Sequence, residues 1–284
     1  IKLLAQDDMT DVIVLVSKPP APIVAETVLA RAVRAGKPVV VNFIGASPTM
    51  AHSSLHQAST LAEAAALAVS LADHERIPAS REVESGLAWP EAAAARMSPQ
   101  QRYVRALFSG GTFAYEALQI LAEKLDPLYA NVAKEPKQKL PDVWHSQQHT
   151  ILDLGDDLFT RGRPHPMIDH RLRNERILQE AADPECAILL LDIVLGYGAH
   201  ADPAAEMVPA IEEARRLARR TGGELAIIGW VCGTRGDPQG LGDQEARLAE
   251  AGMLLANSST EAIRLAADVA WRLSNRAGAG GTTI

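Results

Sequence analysis

Residues 187–195 read AILLLDIVL. Only Asp192 interrupts the apolar run, and neither a period of two nor one of 3.6 residues organises it. A strand that presents no polar face is one buried on both sides, the condition of a central parallel strand covered by helices. The lone carboxylate requires a buried partner, because an unpaired charge in such a strand is strongly destabilising.

Working outward, the pattern repeats. Upstream, Thr150–Leu154 reads as a strand and His170–Ala182 as a helix. Downstream come a helix over Ala204–Arg220, a strand at Leu225–Val231, a helix over Asp243–Ala251, a strand at Met253–Ala256 and a helix over Glu261–Leu273. Further back, Ala106–Phe108 is a short strand entering Ser109-Gly110-Gly111-Thr112, which opens a helix to about Leu125. Residues 126–148 are a polar excursion. Five strand–helix units in a row predict an α/β domain over 102–273, with a parallel, flavodoxin-like sheet.

The N-terminal part shows a shorter version of the same order. Val12–Val16 is a strand, Ala21–Ala35 a helix stopped by Gly36, Pro38–Ile44 a strand ending at Gly45, and Leu61–Ala72 a helix. His52 and His56 fall in the Ser-rich loop between them. Asp8–Gly45 and Asp183–Gly233 share one pattern of acidic turn, strand, loop, helix and strand, as duplicated units would. Residues 1–74 are therefore expected to be an incomplete second domain with a two-stranded sheet, and the chain a piece of something longer. Residues 75–101 read as a linker and 274–284 as a disordered tail.

Composition narrows the function classes. Hydrophobic residues make up 47% of the 284 and aromatics only 4%, so the core rests on Val, Ile, Leu and Ala. The net charge of −7 argues against a nucleic-acid surface. No apolar run is long enough to cross a membrane and no signal peptide is visible, which points to a cytoplasmic protein. Cys186 and Cys232 sit in apolar runs and read as free, buried thiols.

In an open parallel sheet, ligands bind beyond the carboxyl ends of the strands, and four loops lie there. Ser109-Gly110-Gly111-Thr112 turns sharply into a helix whose first N–H groups can hold a carboxylate or phosphate, although such turns are also ordinary α/β punctuation. The 153–169 loop, DLGDDLFTRGRPHPMID, carries Arg161 and Arg163 for bidentate anion contacts. Its Asp156 and Asp157 suit Mg²⁺ or simply neutralise the arginines. Gly196, Gly198, His200 and Asp202 follow the central strand, with His200 and Asp202 suited to proton transfer or metal binding. Gly233 and Thr234 open the fourth loop. Lys18 holds the analogous N-terminal position.

These loops carry a family resemblance. The runs LFSGGTFAYEA (107–117), DLGDDLFTRGRPHPMID (153–169), LLLDIVLGYGAHADPA (189–204), VCGTRGDPQ (231–239) and VIVLVSKPPAP (12–22) resemble the FdrA family of acyl-CoA-synthetase-like proteins. The likeness runs from Asp11 to about Ala270. FdrA proteins are similar in turn to the α subunit of succinyl-CoA synthetase. The resemblance implies CoA as a cofactor, held by a Rossmann-like domain absent from this chain, with Mg²⁺ and a nucleotide as further cofactors and protein subunits or a second copy as partners. It also exposes a departure. Succinyl-CoA synthetases relay phosphate through a histidine in a Gly-His-Ala-Gly loop, where this sequence has Thr234-Arg235-Gly236-Asp237-Pro238-Gln239.

Three readings follow. In an acid–thiol ligase, Ser109–Thr112, Arg161 and Arg163 hold an acyl carboxylate or acyl phosphate, Asp156 joins the catalytic groups, and His165 or His200 replaces the lost phosphate acceptor. In a carbamoyl-transferring complex of ureide breakdown, the same site takes carbamoyl phosphate without a covalent relay. In a scaffold subunit it binds a ligand and turns nothing over.

Overall fold

A computed structural model describes residues 1–18, 20–46, 50–73, 88–220 and 222–278. The chain forms two compact units, Ile1–Glu82 and Val83–Ile284.

In the first unit, helix α1 (Lys2–Ala5) leads to strand β1 (Ile13–Ser17), helix α2 (Pro22–Val33), strand β2 (Val39–Phe43), strand β3 (Leu55–Gln57) and helix α3 (Leu61–Asp73). The sheet is parallel and three-stranded in the order β1-β2-β3, not two-stranded as expected. The polar strand Leu55–Gln57 gave no hydrophobic signal, and it places His56 within the sheet. Ile13, Leu29, Ala32, Val39, Val41 and Phe43 form the core. Lys37 secures the N-terminal turn by donating to the carbonyls of Leu4 (3.2 Å) and Thr10 (2.6 Å).

The second unit begins with helix α4 (Ala88–Arg96), inside the stretch expected to be linker; residues 75–87 lie outside the described ones. Ala93, Ala94 and Met97 pack into its core, and Arg276 donates to the carbonyls of Ala94 and Met97. Then come β4 (Tyr103–Phe108), α5 (Gly111–Leu121), β5 (Leu128–Ala130), β6 (His149–Asp153), α6 (Asp157–Thr160), α7 (Arg171–Ala181) and β7 (Cys186–Val194). The chain continues with α8 (Pro203–Arg220), β8 (Ala226–Cys232), α9 (Leu241–Glu250), β9 (Met253–Leu255) and α10 (Ser259–Gly278).

The six strands are parallel in the order β5-β6-β4-β7-β8-β9. Without the edge strand β5 this is the flavodoxin-like order 2-1-3-4-5. The central run 187–195 is β7, whose residues from Cys186 to Ile193 are all buried. Residues of α5, α10 and α4 cover one face and those of α7, α8 and α9 the other. β7 therefore shows no alternation, because both of its faces are dry.

Four expectations need correction. The 126–148 excursion contributes β5, an edge strand, since only three residues pair there. β4 starts three residues earlier than expected, because Arg105, polar in sequence, is a core residue neutralised by Glu180 and Asp183. Cys232 is exposed, standing at the end of β8 where the sheet runs out, while Cys186 is buried. Helix α10 continues to Gly278, through the start of the segment expected to be disordered; residues 279–284 lie outside the described ones. Among the described residues no helix is long and apolar enough to cross a membrane.

Candidate functional site

In this strand order the winding of the sheet reverses between the parallel neighbours β4 and β7, so the crevice of the topological switch point opens between their carboxyl ends. Ser109 and Asp192 meet there. Asp192, fully buried, accepts from the Ser109 N–H (2.8 Å) and from its hydroxyl. Arg173, equally buried on α7, donates to the Asp192 carboxylate (3.0 Å) and to its carbonyl. The partner that Asp192 required is thus Arg173, and sequence alone did not point to it. Both Ser109 protons are consumed by Asp192, so Ser109 itself has none left for an anion, contrary to expectation. Donors at this turn come instead from the start of α5. Gly110 is its extended N-cap and supplies no side-chain cap, leaving the first-turn N–H groups of Gly111, Thr112 and Phe113 without intrahelical acceptors.

The second loop closes on the first. A Cβ at Gly155 would stand 2.6 Å from His165 Nε2 and 2.6 Å from the Ser109 carbonyl oxygen. The absent side chain is what lets the β4 and β6 loops approach. Gly155→Ala is expected to cost about 1–3 kcal/mol through this overlap, read by urea unfolding; a cost below about 0.5 kcal/mol would mean that the loops are not in contact. The loop is also anchored from the far side, where Asn131 accepts from the Asp153 N–H (2.9 Å) and donates to its carbonyl (3.0 Å). Asn131, in the expected excursion, was not singled out from sequence; its only signal was an amide side chain next to a short apolar run.

The third and fourth loops join the same edge. The His200 N–H donates to the Met167 carbonyl (2.8 Å). Gln239 accepts from Gly196 N–H (3.2 Å) and donates to the carbonyls of Gly196 (2.8 Å) and His200 (3.0 Å). Gln239 thereby ties the two loops together. Thr234 offers less than expected, because its N–H already donates to Asp237: the acid three residues on acts as a built-in anion.

The histidines carry chemical information. His165 Nδ1 accepts from the Met167 N–H (3.3 Å) and His200 Nδ1 from the Asp202 N–H (3.0 Å). A neutral ring whose Nδ1 accepts carries its proton on Nε2. Both rings are therefore set as Nε2–H donors, with no lone pair at that nitrogen for accepting phosphate. His200 also packs edge-on against His170, ring centroids 5.5 Å apart. Burial, and then Arg173, lowers the His170 pKa to about 3.

The charged part of the 153–169 loop divides its roles. Asp156 caps α6, its carboxylate accepting from the Leu158 N–H (2.9 Å), and Asp157 is exposed. Among the described residues no group of three or more His, Cys, Asp and Glu side chains gathers for a metal. Arg161 and Arg163 are exposed. Arg163 lines a recess of about 280 Å³ with Asp169, Arg171 and Glu175, in which Asp169 is held at a pKa of about 2 by its hydrogen bonds from Arg171. Asp202 caps α8 through the Ala205 N–H and pairs with Arg247 (2.9 Å), so it is committed to structure. In the first unit, His52 Nδ1 accepts from the Ser54 N–H (3.2 Å), a local turn contact.

A doubly wound parallel sheet whose loops gather an uncapped helix N-terminus and two imidazole rings along its carboxyl edge defines the class as an α/β protein of flavodoxin-like order. The pattern of the CoA-ligase family matches residues 107–269, more than half of the chain, and the chain belongs to that family. It is 42% identical over 263 residues to the "Uncharacterized protein YahF" of Escherichia coli (strain K12), covering 92% of this chain and 50% of the relative. The chain thus spans about half the length of that relative. Its structure is similar, at a TM-score of 0.45 and 16% identity, to the "Ca. Korarchaeum cryptofilum dinucleotide forming Acetyl-coenzyme A synthetase 1", both in the apo form and in complex with phosphate and ADP. The similarity covers 99% of this chain and 58% of each of those chains.

Proposed function

We propose that the second unit is an FdrA-type, ligase-derived anion-binding unit that holds a carboxylate, acyl phosphate or carbamoyl phosphate at the start of α5. The observation that carries this is the uncapped N-terminus of α5 at the switch point, approached by His165 through Gly155. An anion there would accept from the N–H groups of Gly111, Thr112 and Phe113, with the helix dipole favouring its charge. Arg161 and Arg163 would stay at the rim as steering charges.

The family's match makes CoA the expected acyl acceptor; the described residues would present the acyl or phosphate end. In the 153–169 loop Mg²⁺ would meet the exposed Asp157 and no cluster of three or more ligating side chains among the described residues, which fits an ion carried in on substrate phosphates rather than a protein-built site.

Within this reading, transfer without a covalent relay is favoured over a phosphohistidine. The 233–239 loop has no histidine, and His165 and His200 are set as donors. Fixed donors can orient and stabilise a phosphate directly during carbamoyl or acyl transfer. Partner subunits or a second copy would supply the other reactant.

Calorimetric titration of the chain with orthophosphate, acetyl phosphate and carbamoyl phosphate tests the site. Wild type is expected to bind at least one of them, and Gly111→Pro about tenfold more weakly. That variant deletes one N–H at the first helical position, where proline is tolerated, after an extended Gly110 that suits a following proline. Absence of binding in wild type at millimolar ligand would sink the proposal. Acid-labile phosphate appearing on His165 or His200 after incubation with acetyl phosphate would restore the relay.

A further inference from the structure

The buried Arg173–Asp192 pair lies at the point where two loops of the candidate site leave the sheet. Asp192 and Arg173 are both fully buried. Burying two charges costs several kcal/mol in desolvation, which their mutual attraction often fails to recover. Arg173 Nε also lacks a partner. A pair arranged for stability alone would be replaced by apolar side chains with little loss, so its geometry needs another account.

The geometry supplies one. The Asp192 carboxylate takes both the backbone N–H and the hydroxyl of Ser109, fixing backbone and side chain of the residue that precedes the α5 N-cap. Packing does not hold the turn on the side of the missing Gly110 side chain, where nothing lies within 4 Å. The same carboxylate and its own carbonyl hold Arg173 in the first turn of α7, at the end of the loop that carries Arg161, Arg163 and His165. One side chain therefore sets the exit direction of both loops. We propose that Asp192 and Arg173 are positioning residues that register the α5 N-terminus against the 161–170 loop, so that helix N–H groups and loop donors face one anion together. This rests on the anion-site reading above.

The test uses three variants of the full chain. Arg173→Met/Asp192→Leu replaces the pair with apolar side chains of similar volume and is expected to fold. Ser109→Ala removes only the hydroxyl contact, and Asp192→Asn keeps the shape while leaving Arg173 without its charge partner. Two readouts are taken: affinity for orthophosphate and acetyl phosphate, and ligand-free amide NMR shifts. The double variant is expected to bind at least tenfold more weakly while its melting temperature stays within a few degrees of wild type. Its amide shifts should change both at Gly110–Phe113 and across 161–170, whereas Ser109→Ala should change the first set only. Unchanged shifts in the 161–170 loop of a folded double variant would overturn the proposal, as would wild-type affinity in it. If wild type binds no phosphate, the anion reading fails, while the two-loop shift pattern still decides the positioning role.

Discussion

Glu180→Ala is expected to lower the stability of the second unit by about 3–5 kcal/mol, the cost of leaving buried charges unpaired. Glu180 is 2% exposed and lies between two buried guanidinium groups, Arg105 of β4 at 2.9 Å and Arg176 one helical turn back on α7. Its other contact is the Ser146 hydroxyl at 2.6 Å. Without the carboxylate, Arg176 keeps the Ser146 hydroxyl and the Val143 carbonyl, and Arg105 keeps the half-screened Asp183 and the face of the Tyr103 ring. Asp183 is the natural control: its side chain is 30% exposed, and Asp183→Ala should cost about 1 kcal/mol, since water screens that contact. All four tryptophans, Trp89, Trp144, Trp230 and Trp271, lie in the second unit, so fluorescence-monitored urea unfolding reports it alone. Equal losses in the two variants would mean that this cluster does not hold α7 against β4.

The second large effect is on acid stability. His149 is 3% exposed, with Nδ1 accepting from the Val104 N–H at 3.2 Å. Burial, reinforced by Arg105, lowers its pKa from 6.5 to about 4. His170, 2% exposed, is lowered to about 3 by burial, Arg173 and His200, against an opposing pull from Asp169. Both folded values lie below the unfolded value, so below pH 6.5 the unfolded chain takes up protons that the folded one refuses. Stability is therefore complete above that pH and falls as pH drops toward about 4 for His149 and about 3 for His170. Each imidazole contributes a slope of up to about 1.4 kcal/mol per pH unit, and together they should remove about 2–3 kcal/mol per unit below pH 6. His170→Asn should roughly halve the slope. A flat profile between pH 6.5 and pH 4.5 would show that these rings are not held neutral.

Legibility from sequence followed the physics of each signal. The β7 run, the Gly-Gly turn and the helices were readable because apolar runs and glycine punctuation are local properties. β3 and β5 were not, since each is three residues long and gains its strand character from a neighbour. Tyr103–Arg105 was missed because an arginine reads as surface until Glu180, 75 residues later, neutralises it. α4 was missed for a related reason: its alanines are buried in a core shared with α10, near the other end of the chain. At the candidate site the loops were identifiable, but the assignment of their atoms was not. Ser109 and Thr234 look like free donors in sequence, and in the fold Asp192 and Asp237 accept from their backbone N–H groups.

The sequence by itself determined the α/β class, the central strand, the four loops at the carboxyl edge, the missing loop histidine and the family resemblance, because each is written in contiguous residues. Tertiary structure alone decided which carboxylate pairs with which arginine, which N–H groups remain free at α5, and which ring nitrogen of His165 and His200 bears the proton. Those outcomes depend on partners brought together across the sheet or on the backbone conformation of a loop, and no spacing along the chain encodes them.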